Sequence, residues 1–294
     1  MQSMVKNDII NDMKRFLAVF CISLFMFSLQ GLLGALELEL KGGVNGMTFD
    51  PDKVNQTEKI EPFLGITGNL ALKIDISKEC SFGLYAERDN LFHNNADIRL
   101  KTRLDYFGFE FGIFAGLTDF SDSFHMGVLG HMEVTFPNIL FFQAGGSSTI
   151  GSQFDFMSDV IRQSVEAKLG FYIPYVITVI SAEMKSFSWY PTHDNLYRIK
   201  LSADISFGKT SAFALRVDGG YQILSRKYMA ANDKTDKLST GFAGLDFQFD
   251  VGKYLRFSIG GEMPFLPVAQ DPVKAPEDFY MMFKAYAGMI IKFF

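Results

Sequence analysis

The sequence predicts an all-β fold: a transmembrane up-and-down antiparallel β-barrel of about fourteen strands, with twelve to sixteen compatible with the spacing. Three observations predict it. Apolar and polar residues alternate with period two from Leu36 onward, the connections between alternating runs switch between long and short, and aromatic residues crowd beside the short connections.

Composition sets the frame. The chain has 294 residues, 48% hydrophobic, with 32 Phe and 11 Tyr but a single Trp. Mean hydropathy is only +0.11, which excludes a bundle of apolar helices. The one blocked apolar run is "FLAVFCISLFMFSLQGLLGA" after Lys14 and Arg15. A basic segment, an apolar core and small residues near Gly34 and Ala35 read as a secretory signal peptide over 1–35, with Met13 as an alternative start and a retained anchor as the alternative role. The barrel is then expected over 36–294. Cys21 lies in that leader, leaving Cys80 alone, so no intramolecular disulfide and no cysteine metal site are expected. A net charge of −5 disfavours a nucleic-acid partner, whose phosphates need a basic surface.

The first strand, 36–45, sets Leu36, Leu38 and Leu40 against Glu37, Glu39 and Lys41. The second, 61–76, sets Leu70, Leu72, Ile74 and Ile76 against Asn69, Lys73 and Asp75. Strands follow at 80–92, 95–107, 108–118, 124–136 and 139–150. The eighth, 159–173, alternates Val165, Ala167 and Leu169 with Ser164, Glu166 and Lys168; 175–189 follows. The tenth, 196–208, alternates Ile199, Leu201 and Ile205 with Lys200, Ser202 and Asp204. The last four are expected at 211–226, 238–250, 253–265 and 278–294.

Between them, "GMTFDPDKVNQTEK", "NLFHNN", "TDFSDS", "GSSTIGSQFDFMSD", "SWYPTHDN", "KYMAANDKTDK" and "LPVAQDPVKAPE" are the longer connections. "SKE", a bend at Phe107 to Gly108, "PN", a bend at Pro174, "GKTS" and "DVGK" are the shorter ones. Strict alternation is the habit of outer-membrane barrels, which have short periplasmic turns and longer extracellular loops. Beside the short turns lie Phe107, Phe109, Phe136, Phe142, Tyr172, Tyr175, Phe213, Phe249 and Tyr254, with Trp189 and Tyr190 at the opposite end of strand nine. These are expected to sit at the membrane interfaces.

Energetics assign the faces. An Arg or Lys on the lipid face at midplane costs about 2–4 kcal/mol, so the row Arg99, Lys101 and Arg103 could cost about 6–12 kcal/mol there. That rivals the stability of an ordinary domain. The row therefore faces the lumen. The same rule turns Glu110, Glu133, Glu166, Lys168, Lys200, Asp204, Arg216 and Asp218 inward, and it places His125 and His131 inward, the latter beside Glu133. His93 and His193 are expected in loops.

The ending, "DFYMMFKAYAGMIIKFF", resembles the assembly signal of bacterial outer-membrane β-barrel proteins, an amphipathic last strand closing on a terminal Phe, here Phe294. Lys292 interrupts the apolar series counted back from Phe294; the unbroken series is Phe293, Ile291, Met289, Ala287 and Ala285. The resemblance implies the bacterial outer membrane as location, and lipid and the barrel-assembly machinery as partners. With about fourteen strands, it resembles the monomeric, unplugged porins.

Function follows from the polar interior. The leading expectation is a passive diffusion channel for small hydrophilic solutes. The alternative is a surface-exposed adhesin or ligand-binding barrel that acts on an extracellular ligand through its loops. A barrel with a sealed lumen is a further option. Catalysis is not expected: the sequence has no G-x-S-x-G elbow, no H-E-x-x-H and no phosphate-binding glycine loop, and it implies neither a cofactor nor a metal.

Overall fold

The computed structural model describes residues 35–47, 63–89, 93–117, 124–150, 160–189, 192–207, 212–228, 234–270 and 283–293. Residues 1–34 of the signal peptide expected over 1–35, Tyr190 and Phe294 lie outside the described residues.

Fourteen strands form one sheet: β1 Leu36–Met47, β2 Phe63–Asp75, β3 Cys80–Asp89, β4 His93–Leu104, β5 Phe107–Leu117, β6 Phe124–Phe136, β7 Leu140–Thr149, β8 Ile161–Ile173, β9 Val176–Trp189, β10 Thr192–Ser206, β11 Phe213–Tyr228, β12 Lys234–Val251, β13 Leu255–Gln270 and β14 Lys284–Phe293. Each pairs antiparallel with its sequence neighbours, and β1 closes on β14 from Leu36↔Phe293 to Asn45↔Lys284. Closure removes both sheet edges, which is how a long apolar sheet avoids pairing with other chains.

Successive residues point to opposite faces, and the register keeps each face continuous. The row Glu37, Lys73, Gly83, Arg99 and Gly112 lies on one face, and Leu38, Leu72, Leu84, Ile98 and Ile113 lie on the other. Contacts between strands that are not neighbours identify the first face as the interior. Arg162 on β8 meets Asn95 on β4, and Arg198 on β10 meets Glu262 on β13. Burial is inverted relative to a water-soluble protein. Phe111 is 65% exposed on the outer face, whereas Asp97 is 5% exposed inside.

The turns differ from expectation in two places. The bend expected at Phe107 to Gly108 is the two-residue turn Asp105–Tyr106, with φ of 49° at Asp105. Asp tolerates the left-handed region better than the bulky residues after it, so the chain reverses there and Phe107 already pairs with Leu104. The alternation of long and short connections also breaks. Residues 190–191 alone separate β9 from β10 and 90–92 separate β3 from β4, while 207–212 is the longest link at the turn end.

The cause is strand length. The strand expected at 196–208 begins at Thr192, that expected at 238–250 begins at Lys234, and that expected at 253–265 runs to Gln270. The loop ends of β10 and β12 are polar on both faces. Ser188, His193 and Asn195 point outward where Ile199 and Leu201 do lower down, so the apolar alternation fades before the hydrogen-bonded ladder does. His193 is therefore a strand residue, and His93 opens β4. A register shift between Gly241 and Phe242 accommodates Pro264 and Pro267 of β13, as expected for proline in a ladder it cannot join as donor.

Candidate functional site: the barrel interior

The basic row on β4 is held by an acid of its own strand and by acids of β5 and β6. Arg99 Nε donates to Asp97 Oδ1 at 2.6 Å and its Nη1 to Glu110 Oε1 at 3.1 Å, with the guanidinium 4.1 Å over the Tyr85 ring. Glu133, on β6, collects the next two cations: Lys101 Nζ at 3.3 Å and Arg103 Nη2 at 3.1 Å. Thr135 Oγ1 and Gln143 Nε2 donate to the same carboxylate at 2.8 and 3.1 Å. Four donors on one carboxylate make Glu133 the hub of this wall.

His131 does not pair with Glu133. Its Nδ1 lies 3.4 Å from Glu110 Oε1 and its Nε2 3.3 Å from Glu166 Oε1, while Lys168 Nζ reaches the other Glu166 oxygen at 2.9 Å. Register accounts for Glu110, which lies directly opposite His131 on β5, and Glu166 lies two strands away on β8, reached across Gly145 of β7. Glycine lets the ring lie flat, because a Cβ at Gly145 would fall 1.9 Å from His131 Cδ2. Arg99, Glu110, His131, Glu133, Gln143 and Glu166 line a cavity of about 180 Å³.

On the opposite wall, Arg216 grips Asp204 with Nε and with Nη2, the latter at 3.0 Å, and Lys200 Nζ lies 3.6 Å from Asp218. Arg256 grips Asp250 in the same two-pronged way at 2.6 and 3.0 Å. At the seam, Lys292 Nζ lies 3.5 Å from Glu37, so Lys292 faces inward, and Phe293, Ile291, Met289, Ala287 and Ala285 form the outward series.

Towards the loop end the interior is packed. Phe114, Phe187 and Leu129 are nearly solvent-free, and Arg162 sits 4.6 Å over the Phe114 ring while bonding Asn95. Gly127 makes room for that ring: a Cβ there would lie 2.3 Å from Phe114 Cζ. Further round, Arg226 Nε and Nη2 donate to Asp194 at 2.7 and 2.6 Å, both groups buried. Arg198 stacks 4.1 Å over Phe242 while holding Glu262. Desolvated charges of this kind persist only when paired.

The structure thus links Arg99, Glu110, Glu166 and Lys168 through His131, gathers Lys101 and Arg103 on Glu133 beside the same cavity, and pairs Arg216 with Asp204 and Lys200 with Asp218. Of the aromatics, Phe107, Phe109 and Tyr254 are on the outer face or in outward turns, and Tyr175 occupies a turn with φ of 67°. Trp189 ends β9 at the loop end. Tyr172 is a correction: it shares the inner face with Lys168 and packs on Phe141 at 5.8 Å between centroids.

Arg162, Asp194, Arg198 and Arg226 were not among the expected lining residues. Asp194 lies before the expected start of its strand, and Arg226 is the last residue of the strand expected over 211–226. Extending period-two parity by a few residues recovers both. Among the described residues no group of three or more His, Cys, Asp or Glu is arranged to hold a metal.

No protein-family model and no curated protein matches this chain. Among solved structures, its fold is similar to that of an outer-membrane channel from Pseudomonas putida F1, with a TM-score of 0.53 and 8% identity over 89% of this chain and 96% of that one. A loop-deletion form of OmpT, an outer membrane protein of Vibrio cholerae, aligns with a TM-score of 0.45 and 8% identity over 89% of this chain and all 100% of that one. The NanC porin aligns with a TM-score of 0.41 and 9% identity over 87% and 100%. At these identities the likeness is one of fold: a closed antiparallel barrel of fourteen strands, with bacterial outer-membrane barrels as its neighbours.

Proposed function

We propose that the chain spans a bacterial outer membrane and acts as a passive diffusion channel for small hydrophilic solutes. The observation that carries the reading is solvent exposure of charged side chains on the inner face. Arg103 is 51% exposed and Lys101 39%, although both point inward. Water therefore reaches the wall at the turn end, and a charged wall in contact with water suits polar solutes.

The outer face supports the membrane half of the proposal. Ile66, Leu70, Ile98, Phe111, Ile113, Val165, Ile199 and Leu201 stand exposed there, a surface far too apolar for water alone. With the leader delivering the chain, the turn end would face the periplasm and the loop end the exterior. The outward series of β14 would be offered to the barrel-assembly machinery.

Both inner walls carry acids and bases in pairs, which favours weak charge selectivity over a specific substrate. Osmotic swelling of proteoliposomes tests the reading. Small neutral sugars should enter vesicles that hold the folded protein and should be excluded from vesicles without it. Equal exclusion from both would sink it.

A further inference from the structure

The outer face carries a charge pattern that a channel for neutral solutes does not require. Every Asp, Glu, Lys, Arg or His whose described side chain points outward from a strand is basic: Arg88, His193, Lys227 and Lys237. All four lie near the loop end of their strands, and His193 is directly opposite Lys227 across the β10–β11 ladder. The chain as a whole has a net charge of −5, so the bias is local.

Below Arg88 the outer surface is hollowed. Neighbouring outward positions on β3, β4 and β5 are Ala86, Ala96 and Ala115 in register, whereas the next outward row is Leu84, Ile98 and Ile113. The step between small and bulky rows belongs to an open groove of about 550 Å³ on the outer surface. Its upper rim is Arg88, whose Nη1 donates to Asn94 Oδ1 at 2.8 Å, and Phe124 closes one side.

We propose that this groove binds a phosphate-bearing bilayer lipid, with Arg88 on the phosphate and the first acyl methylenes on the alanine floor. The proposal rests on the membrane reading above. Charge complementarity selects the occupant. A guanidinium matches phosphate with paired donors, and an apolar floor directly beneath it matches a chain joined to that headgroup. A purely apolar lipid offers no anion to the guanidinium, and a free phosphate leaves the floor uncovered. An outward Arg is tolerable only near an interface, where its cost falls to about 0–1 kcal/mol, and that is the depth of a phosphate layer.

Native mass spectrometry of the folded full chain in neutral detergent tests this, with phosphatidylglycerol as probe, diacylglycerol of the same chains as the uncharged arm and inorganic phosphate as the free-ion arm. One phosphatidylglycerol adduct per barrel is expected to survive, with no comparable diacylglycerol or phosphate adduct. Arg88→Gln should weaken it by about tenfold or more, Arg88→Lys should restore part of it, and Ala96→Leu should weaken it by filling the floor while the rim is kept. Equal adducts in native protein, R88Q and A96L, or equal binding of any of the three probes, would overturn the site. Each preparation is checked by its heat-dependent gel shift and for conductance. Conducting barrels without the adduct defeat the lipid site alone, and folded barrels that do not enter vesicles defeat the membrane reading.

Discussion

Arg162 on β8 hydrogen-bonds the side-chain oxygen of Asn95 on β4, so a single contact crosses the barrel interior between strands separated by three others. Both residues are buried, and the guanidinium rests on Phe114. The contact fixes how far apart these two parts of the wall stand near the loop end.

Asn95→Ala removes the acceptor and leaves a buried cation with fewer partners. It should lower stability by about 1.5–3 kcal/mol, the scale of a hydrogen bond to a charged group. The midpoint of the heat-dependent gel shift, taken across a urea series, measures it. Asn95→Asp, which keeps an acceptor, should lose less.

Glu133 receives Lys101, Arg103, Thr135 and Gln143. Glu133→Gln leaves the two cations without their common acid, so ion selectivity should move towards anions. The reversal potential across a salt gradient reads the change directly, and a shift towards cations would contradict the assignment of this wall to the conducting passage.

The strand pattern was legible because two solvents impose it. Where one face meets apolar surroundings and the other polar, period two survives, as from Ile98 to Arg103, and it marked strand number and facing; the inward turn of Lys292 comes from its register opposite Glu37. Where both faces meet polar surroundings, as at Thr192 to Asn195, the ladder continues without an apolar alternation to mark it, and the start of β10 was missed. Tyr172 shows a different limit. Closeness to a turn suggested an interface position, but parity with Lys168 decides which way the ring points. The pairing of His131 with Glu110 and Glu166 depends on register between strands, which one strand's sequence does not contain.

Ile113 stands on the outer face, half exposed. Ile113→Arg should cost about 2–4 kcal/mol if that face meets lipid at midplane. Folding yield into bilayers of defined composition and the urea midpoint both report it, and an unchanged midpoint would argue that the position lies outside the hydrocarbon.

Gly252 in the β12–β13 turn has φ of 66°, and a Cβ built there meets nothing within 4 Å. Gly252→Ala therefore isolates backbone strain from packing and should destabilise by about 1–2 kcal/mol. Gly252→Asn should cost less, because Asn enters the left-handed region more readily.

Planar-bilayer recording of the refolded barrel bears most directly on the central claim, that the barrel is a passive diffusion channel. Stepwise, ohmic current increments are predicted from protein whose gel mobility shifts on heating. Silent bilayers from protein that shows the same shift would contradict the channel while leaving the barrel intact.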